Sequence, residues 1–217
     1  MESKFDAVLF DFDGTFADTG VGIFNSIRVT VASMGLAPIN EKKLRTFIGP
    51  PIYDSFKREL GLTEEQCEKA VKKYREVYGR RGLYQLEVYD GIAELVDTLR
   101  ENGIKVAIAS SKPEAFIKKI IAFLNLEEKI DYVSAISSDN EQEDKRTIIG
   151  RAVEALGVDK SRTLMVGDRH FDINGANAAG VKSAGVTYGY GTREELQNAG
   201  ATFVVDSAKA LCEVIFA

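Results

Sequence analysis

The chain has little of what a thiolate or disulfide protein needs. Its two cysteines, Cys67 and Cys212, lie far apart, no Cys-x-x-Cys pair exists, and His170 is the only histidine. Free thiols in a reducing compartment are expected, and a zinc site is not. Basic residues are in deficit: 28 Lys and Arg against 33 Asp and Glu leave a net charge of -5, with pI ≈ 5.2. That balance offers no general attraction to a nucleic-acid polymer or an anionic membrane, so any phosphate-bearing ligand needs a local set of charges. No apolar run reaches membrane-spanning length, and no basic segment followed by a long apolar one opens the chain. Neither a membrane span nor a signal peptide is expected, and a cytoplasmic location is. Repeats, low-complexity tracts and long linkers are missing as well. What remains is ordinary for a globular chain: 217 residues, 45% hydrophobic and 28% charged, enough for a core domain with a smaller insertion.

The stretch that organises this composition is Phe5 to Thr15. An apolar run of strand length, Ala7-Val8-Leu9-Phe10, stops at Asp11-Phe12-Asp13-Gly14-Thr15. A short apolar run bounded by turn residues reads as a buried strand of a parallel sheet, and the carboxyl ends of such strands are where open α/β sheets bind ligands. Side chains alternate along extended chain, so Asp11 and Asp13 start on one side. Two carboxylates that close repel unless a cation or a shared proton separates them. Read alone, the segment is equally a polar turn. An EF-hand calcium loop fits poorly, because its glycine comes sixth and a glutamate closes it.

After Thr15 the periodicity is helical for about seventy residues. A first helix is expected from Asp18 or Thr19 to Gly35, with Val21, Phe24, Ile27, Val31 and Met34 on its inner face. A short helix around residues 42–47 follows, then Ile48-Gly49-Pro50-Pro51, a helix from Ile52, and a charged helix capped at Thr63 with Gln66. This strand-free block, residues 17–84, reads as a helical insertion. From Tyr89 onward strand and helix alternate, with strands at 105–109, 132–136, 163–166, 182–186 and 203–205. The expectation is an α/β fold, a doubly wound parallel sheet built from residues 1–16 and 85–217.

Four strand or helix ends carry chemistry: Asp11 with Asp13, Ser110, Lys145, and Asp168 with Asp172. Each has a plain account by itself: a turn, a helix cap, a solvated lysine. Together they are the parts of a metal-assisted phosphoryl-transfer site, in which one carboxylate attacks, a second moves protons, a hydroxyl and a lysine hold phosphoryl oxygens, and further carboxylates fix a hard cation.

The order Asp11-x-Asp13-Gly14-Thr15, Ser110, Lys145 and Gly167-Asp168-Arg169-x-x-Asp172 resembles the four motifs of the haloacid dehalogenase-like (HAD) hydrolase superfamily. Phe47-Ile48-Gly49-Pro50-Pro51, with Gly189-Tyr190-Gly191 and Glu194-Glu195-Leu196, is similar to its phosphoglycolate phosphatase-like and 5′-nucleotidase-like members. The resemblance implies a Rossmann-like core with an inserted helical cap, and a Mg²⁺-dependent phosphomonoester hydrolase acting on a small phosphorylated metabolite such as phosphoglycolate or a nucleoside monophosphate. By it, Asp11 is the nucleophile that forms an aspartyl-phosphate, and Asp13 the proton shuttle. Mg²⁺ is bound by Asp11, the Asp13 carbonyl, Asp168 and Asp172. Ser110 and backbone amides near Gly14 and Ser111 hold the phosphoryl oxygens, and Lys145 offsets the gathered negative charge. The cap excludes water and selects the leaving group, with Arg45 its candidate for an anionic substrate part. A monomer or homodimer is expected.

Some positions depart from the pattern. Phe16 stands where relatives usually carry Leu, Ser110 replaces a more frequent Thr, and Phe171 occupies a position where many relatives have His, with His170 expected in a loop. Rival readings are a β-phosphoglucomutase or pyrophosphatase of the same family, a phospho-acceptor signalling domain, and a non-catalytic binding module. The second proton-shuttling aspartate speaks against the signalling domain, and the complete motif set against the binding module.

Overall fold

In chain order the elements are β1 (Ala7–Phe10), β2 (Ala17–Asp18), α1 (Gly20–Ser33), α2 (Glu41–Arg45), α3 (Ile52–Leu60), α4 (Glu64–Arg80), β3 (Glu87–Val88), α5 (Ile92–Glu101), β4 (Lys105–Pro113), α6 (Glu114–Phe123), β5 (Tyr132–Ile136), α7 (Lys145–Leu156), β6 (Thr163–Gly167), α8 (His170–Ala179), β7 (Lys182–Val186), α9 (Arg193–Asn198), β8 (Phe203–Val205) and α10 (Ala208–Phe216). They belong to a computed structural model that describes residues 3–137 and 143–216. Among the described residues no helix is long and apolar enough to cross a membrane. The chain divides into two compact units, one of Met1–Ala17 with Val88–Ala217 and one of Asp18–Glu87.

The first unit is a six-stranded sheet in the order β5-β4-β1-β6-β7-β8, parallel at every pairing. This is the doubly wound α/β arrangement expected. Strands β1, β4 and β6 are buried on both faces, which is why they read as unbroken apolar runs. Alternate residues Leu9, Ala107 and Met165 meet Ile148, Ile149, Ala152 and Val153 of α7 and Ala176 and Ala179 of α8. From β1 the chain winds outward through β4 to β5, then returns to β6 and winds the other way through β7 and β8. Strand order therefore reverses beside β1, the position at which such sheets place ligands. Phe10 is level with Ile108 of β4 and Val166 of β6, so Asp11, Ser110 and Asp168 all emerge just past one line across the sheet.

The second unit packs helices around aromatic rings, with Phe47 edge-on to Phe56 at 5.4 Å and Tyr74 stacked on Tyr78 at 5.5 Å. Thr63 and Gln66 form the reciprocal cap expected for α4. The inner face of α1 differs from the expected one. Ile23, Ser26, Ile27, Thr30 and Val31 are buried, whereas Val21 is 60% exposed and Phe24 and Met34 are half-buried. The reason is local. Ser26 and Thr30 donate their hydroxyls to the carbonyls of Gly22 and Ser26, at 2.7 and 2.8 Å, and so enter the interior with their polarity satisfied. Gly22 lies against Gly82 so closely that a Cβ would sit 2.1 Å from the Gly82 carbonyl oxygen. Small and polar residues occupy the contact, and the apolar pattern points elsewhere.

Candidate active site

Everything in this site belongs to the first unit. Asp11 follows β1 directly, its amide donating to the Val166 carbonyl at 2.8 Å. Lys145 is the first residue of α7, behind the Asp144 cap that accepts from the Thr147 amide. Its Nζ lies 2.7 Å from Asp11 Oδ1 and 2.8 Å from Asp172 Oδ1, and all three side chains are buried. Gly175 makes this reach possible: a Cβ there would stand 2.7 Å from Lys145 Cβ and Cγ, so the small face of α8 lets α7 come close. Gly167 acts similarly for Asp172, whose carboxylate folds back where a Cβ would otherwise be, 2.4 Å from Oδ2.

Asp168 closes the cluster. Thr15 donates its hydroxyl to Asp168 Oδ1 at 3.2 Å, and the Tyr190 amide donates to Oδ2 at 2.7 Å. The loop carrying Tyr190 is seated by two glycines. A Cβ at Gly189 would meet the Gly14 carbonyl at 2.2 Å, and one at Gly191 the Asp168 carbonyl at 1.9 Å. Tyr188 adds a hydroxyl donated to the Thr15 carbonyl at 3.0 Å.

Oxygens of Asp11, Asp168 and Asp172 lie within 4.8 Å of one another. Burial pushes the Asp11 carboxyl up to about 6, with Lys145 opposing and the charges of Asp172 and Asp13 adding to the rise. Burial likewise raises Asp168 well above the usual range, reinforced by Asp172 and Asp11. Burial alone would lower Lys145, yet the two carboxylates outweigh it and its ammonium is held above its ordinary value. Three buried carboxylates against one buried ammonium leave an excess of negative charge on hard oxygen donors. That is the donor set a divalent magnesium ion takes.

The remaining expected residues fall as follows. Asp13 is paired with Lys112, whose Nζ touches both its oxygens at 2.8 and 3.0 Å. Ser110 is buried, its hydroxyl accepting from the Lys112 amide at 3.3 Å, and Ser111 beside it is half-buried. The Gly14 amide donates to the Ala17 carbonyl at 2.9 Å, closing the turn after β1, so that N–H is already engaged. Arg45 lies in the other unit, exposed on α2 and paired with Glu41 at 3.7 Å. His170 is the first residue of α8, not a loop residue, and Phe171 is 37% exposed with its ring 3.9 Å from the imidazole.

Three participants escaped the sequence reading. Lys112 was legible in principle, because it sits two residues past Ser110 on the same strand and alternation puts both on one side. Thr15 was named without a role. Tyr190 acts through its backbone amide, which no side-chain pattern signals.

Residues 8–186 match the family model described as haloacid dehalogenase-like hydrolase. The chain is 32% identical to a 5′-nucleotidase of Pseudomonas aeruginosa, covering 98% of this chain and 96% of that one. It is 34% identical to the tyrosine-protein kinase PtkA of Mycobacterium tuberculosis over 93% of this chain and 68% of that one. Among solved structures, a predicted phosphatase from Clostridium acetobutylicum superposes with a TM-score of 0.91 at 34% identity, covering 96% and 97% of the two chains.

Proposed function

The chain belongs to the haloacid dehalogenase-like hydrolase family and is a phosphatase, and from that premise we propose that it hydrolyses small phosphomonoesters with Mg²⁺ through phosphorylation of Asp11. The observation that carries this reading is the buried Lys145 ammonium bridging Asp11 and Asp172 beside Asp168. Asp11, Asp168, Asp172 and the Asp13 carbonyl would hold Mg²⁺, which supplies charge stabilisation at the phosphoryl oxygens.

The chain's own groups do the rest. The Asp11 oxygen turned from Lys145 bonds to phosphorus while the ester P–O bond breaks, and Asp13 gives its proton to the departing oxygen. Water then bonds to phosphorus, Asp13 takes up its proton, and the Asp11–phosphorus bond breaks to release inorganic phosphate. Asp13 enters this cycle as the neutral acid, turned from Lys112 to the leaving oxygen, and the proton it takes from water returns it to that form. Lys145 and the Ser110 hydroxyl stabilise the phosphoryl group, through the charge complementarity that dominates such transfers. Nucleoside monophosphates and phosphoglycolate are the substrate class proposed, the first supported by the name of the Pseudomonas relative.

A phosphate-release screen with Mg²⁺ tests this directly, across p-nitrophenyl phosphate, phosphoglycolate, nucleoside monophosphates, phosphotyrosine, sugar phosphates and pyrophosphate. Release from several monoesters, stopped by a chelator, is the expected result. A flat, low profile from folded protein overturns the reading.

Metal dependence also has a pH signature in stability. The folded, metal-free chain keeps the Asp11 proton up to about pH 6, against 3.8 for an ordinary aspartate. The folded state then binds more protons than the unfolded one, so this contribution is complete below pH 3.8 and is lost as the pH rises through about 6. Mg²⁺ needs deprotonated ligands and restores what was lost. Excess Mg²⁺ should therefore raise the melting midpoint more at about pH 7.5 than at about pH 5. Equal shifts at both values in a thermal melt would contradict the metal assignment.

A further inference from the structure

Glu195, in the first turn of α9, gathers three donors on one carboxylate oxygen. Arg169 Nε lies 2.9 Å from its Oε1, the His170 amide 3.0 Å and His170 Nδ1 2.6 Å. Arg169 and His170 sit between Asp168 and Asp172, and the Arg169 amide donates to Asp172 Oδ2 at 3.1 Å. One side chain from a separate helix thus grips the short segment that carries two of the three clustered carboxylates.

Two consequences follow. The turn from β6 into α8 has its backbone and both half-buried side chains, Arg169 and His170, tied to Glu195, beside the point where Asp172 returns over Gly167. Arg169 is also a charge in the field of Asp168. A guanidinium is a fork built for carboxylates. Released from Glu195, it would turn to the carboxylates nearby and compete with a cation for them.

We propose that Glu195 is a positioning residue for the divalent cation: it holds Arg169 and His170 so that Asp168 and Asp172 stay aimed at one ion and unpaired with Arg169. The proposal rests on the Mg²⁺ reading above. Its chemistry is that of the outer partners of metal ligands, whose removal typically costs about 10–100-fold in metal affinity.

Isothermal titration calorimetry with Mg²⁺ alone tests it, on the full chain and without substrate. Glu195→Gln should weaken Mg²⁺ binding by about 10-fold or more, with the metal-free chain lowered somewhat in melting midpoint but fully folded at the titration temperature. Phosphate release should recover when Mg²⁺ is raised, so the Mg²⁺ requirement shifts while kcat is spared. Adding Arg169→Met to Glu195→Gln should return part of the lost affinity, because the competing charge is gone. Wild-type affinity in Glu195→Gln overturns the proposal. A weakened affinity matched by unfolding of the metal-free chain overturns it as well, since a merely structural contact would give that. A wild-type chain that binds no Mg²⁺ is a different result and removes the metal reading itself.

Discussion

Asp11→Asn should lower Mg²⁺-dependent phosphate release by at least about 10⁴-fold, the scale on which loss of a nucleophile acts. The amide cannot form the acyl phosphate, and it withdraws one anionic oxygen from the buried set that would hold the cation. The fold should survive. Asn has the same shape, Lys145 keeps its contact with Asp172 at 2.8 Å, and a carboxylate that burial disfavours has been removed. Near-wild-type circular dichroism with abolished turnover is therefore the expected pair of measurements. Asp13→Asn separates binding from chemistry. It should lower turnover by about 10²–10⁴-fold, the usual worth of general acid–base catalysis, while sparing substrate binding. Substantial release by Asp11→Asn would sink the covalent route.

The second large effect is expected from Lys145→Met. The ammonium lies between Asp11 and Asp172, both buried, so removing it leaves anions with no compensating charge. Breaking a buried pair from one side costs about 3–5 kcal/mol. For a chain of this size each kcal/mol moves the melting midpoint by about 2–4 °C, which puts the metal-free variant about 6–20 °C below wild type. Mg²⁺ should recover more of the midpoint in the variant than in wild type, because the cation then supplies the missing positive charge. Activity should not recover with it. In the proposed mechanism Lys145 also offsets the phosphoryl charge, and losing such a group costs about 10²–10³-fold. An unchanged metal-free midpoint would show that the bridge does not hold the site together.

Strand β1 and its two aspartates were readable because the signal is local. An apolar run ends and the turn residues follow at once. The same holds for Thr63 and Gln66 of α4, three residues apart. The face of α1 was read correctly at Ile27 and Val31 and misread at Val21, Phe24 and Met34, for the opposite reason. Its buried contact uses Gly22, which packs by smallness, with Ser26 and Thr30, whose hydroxyls bond within the helix. A hydrophobicity pattern cannot see that. Lys112, two residues past Ser110, acquired a role only from Asp13, 99 positions away in sequence.

By itself the sequence determined the sheet, the order of its strand ends and the types of residue at each, because buried strands and turn residues are decided within a few neighbouring positions. Only the tertiary structure decided which charges meet. Lys145 with Asp11 and Asp172, Asp168 with Thr15 and the Tyr190 amide, and Glu195 with Arg169 and His170 are contacts between elements. Their distances depend on how closely α7, α8 and α9 approach the sheet. Gly175 lets α7 and α8 come close, Gly185 lies against Leu196 of α9, and glycines at 167, 189 and 191 leave room for Asp172 and for the loop that carries Tyr190.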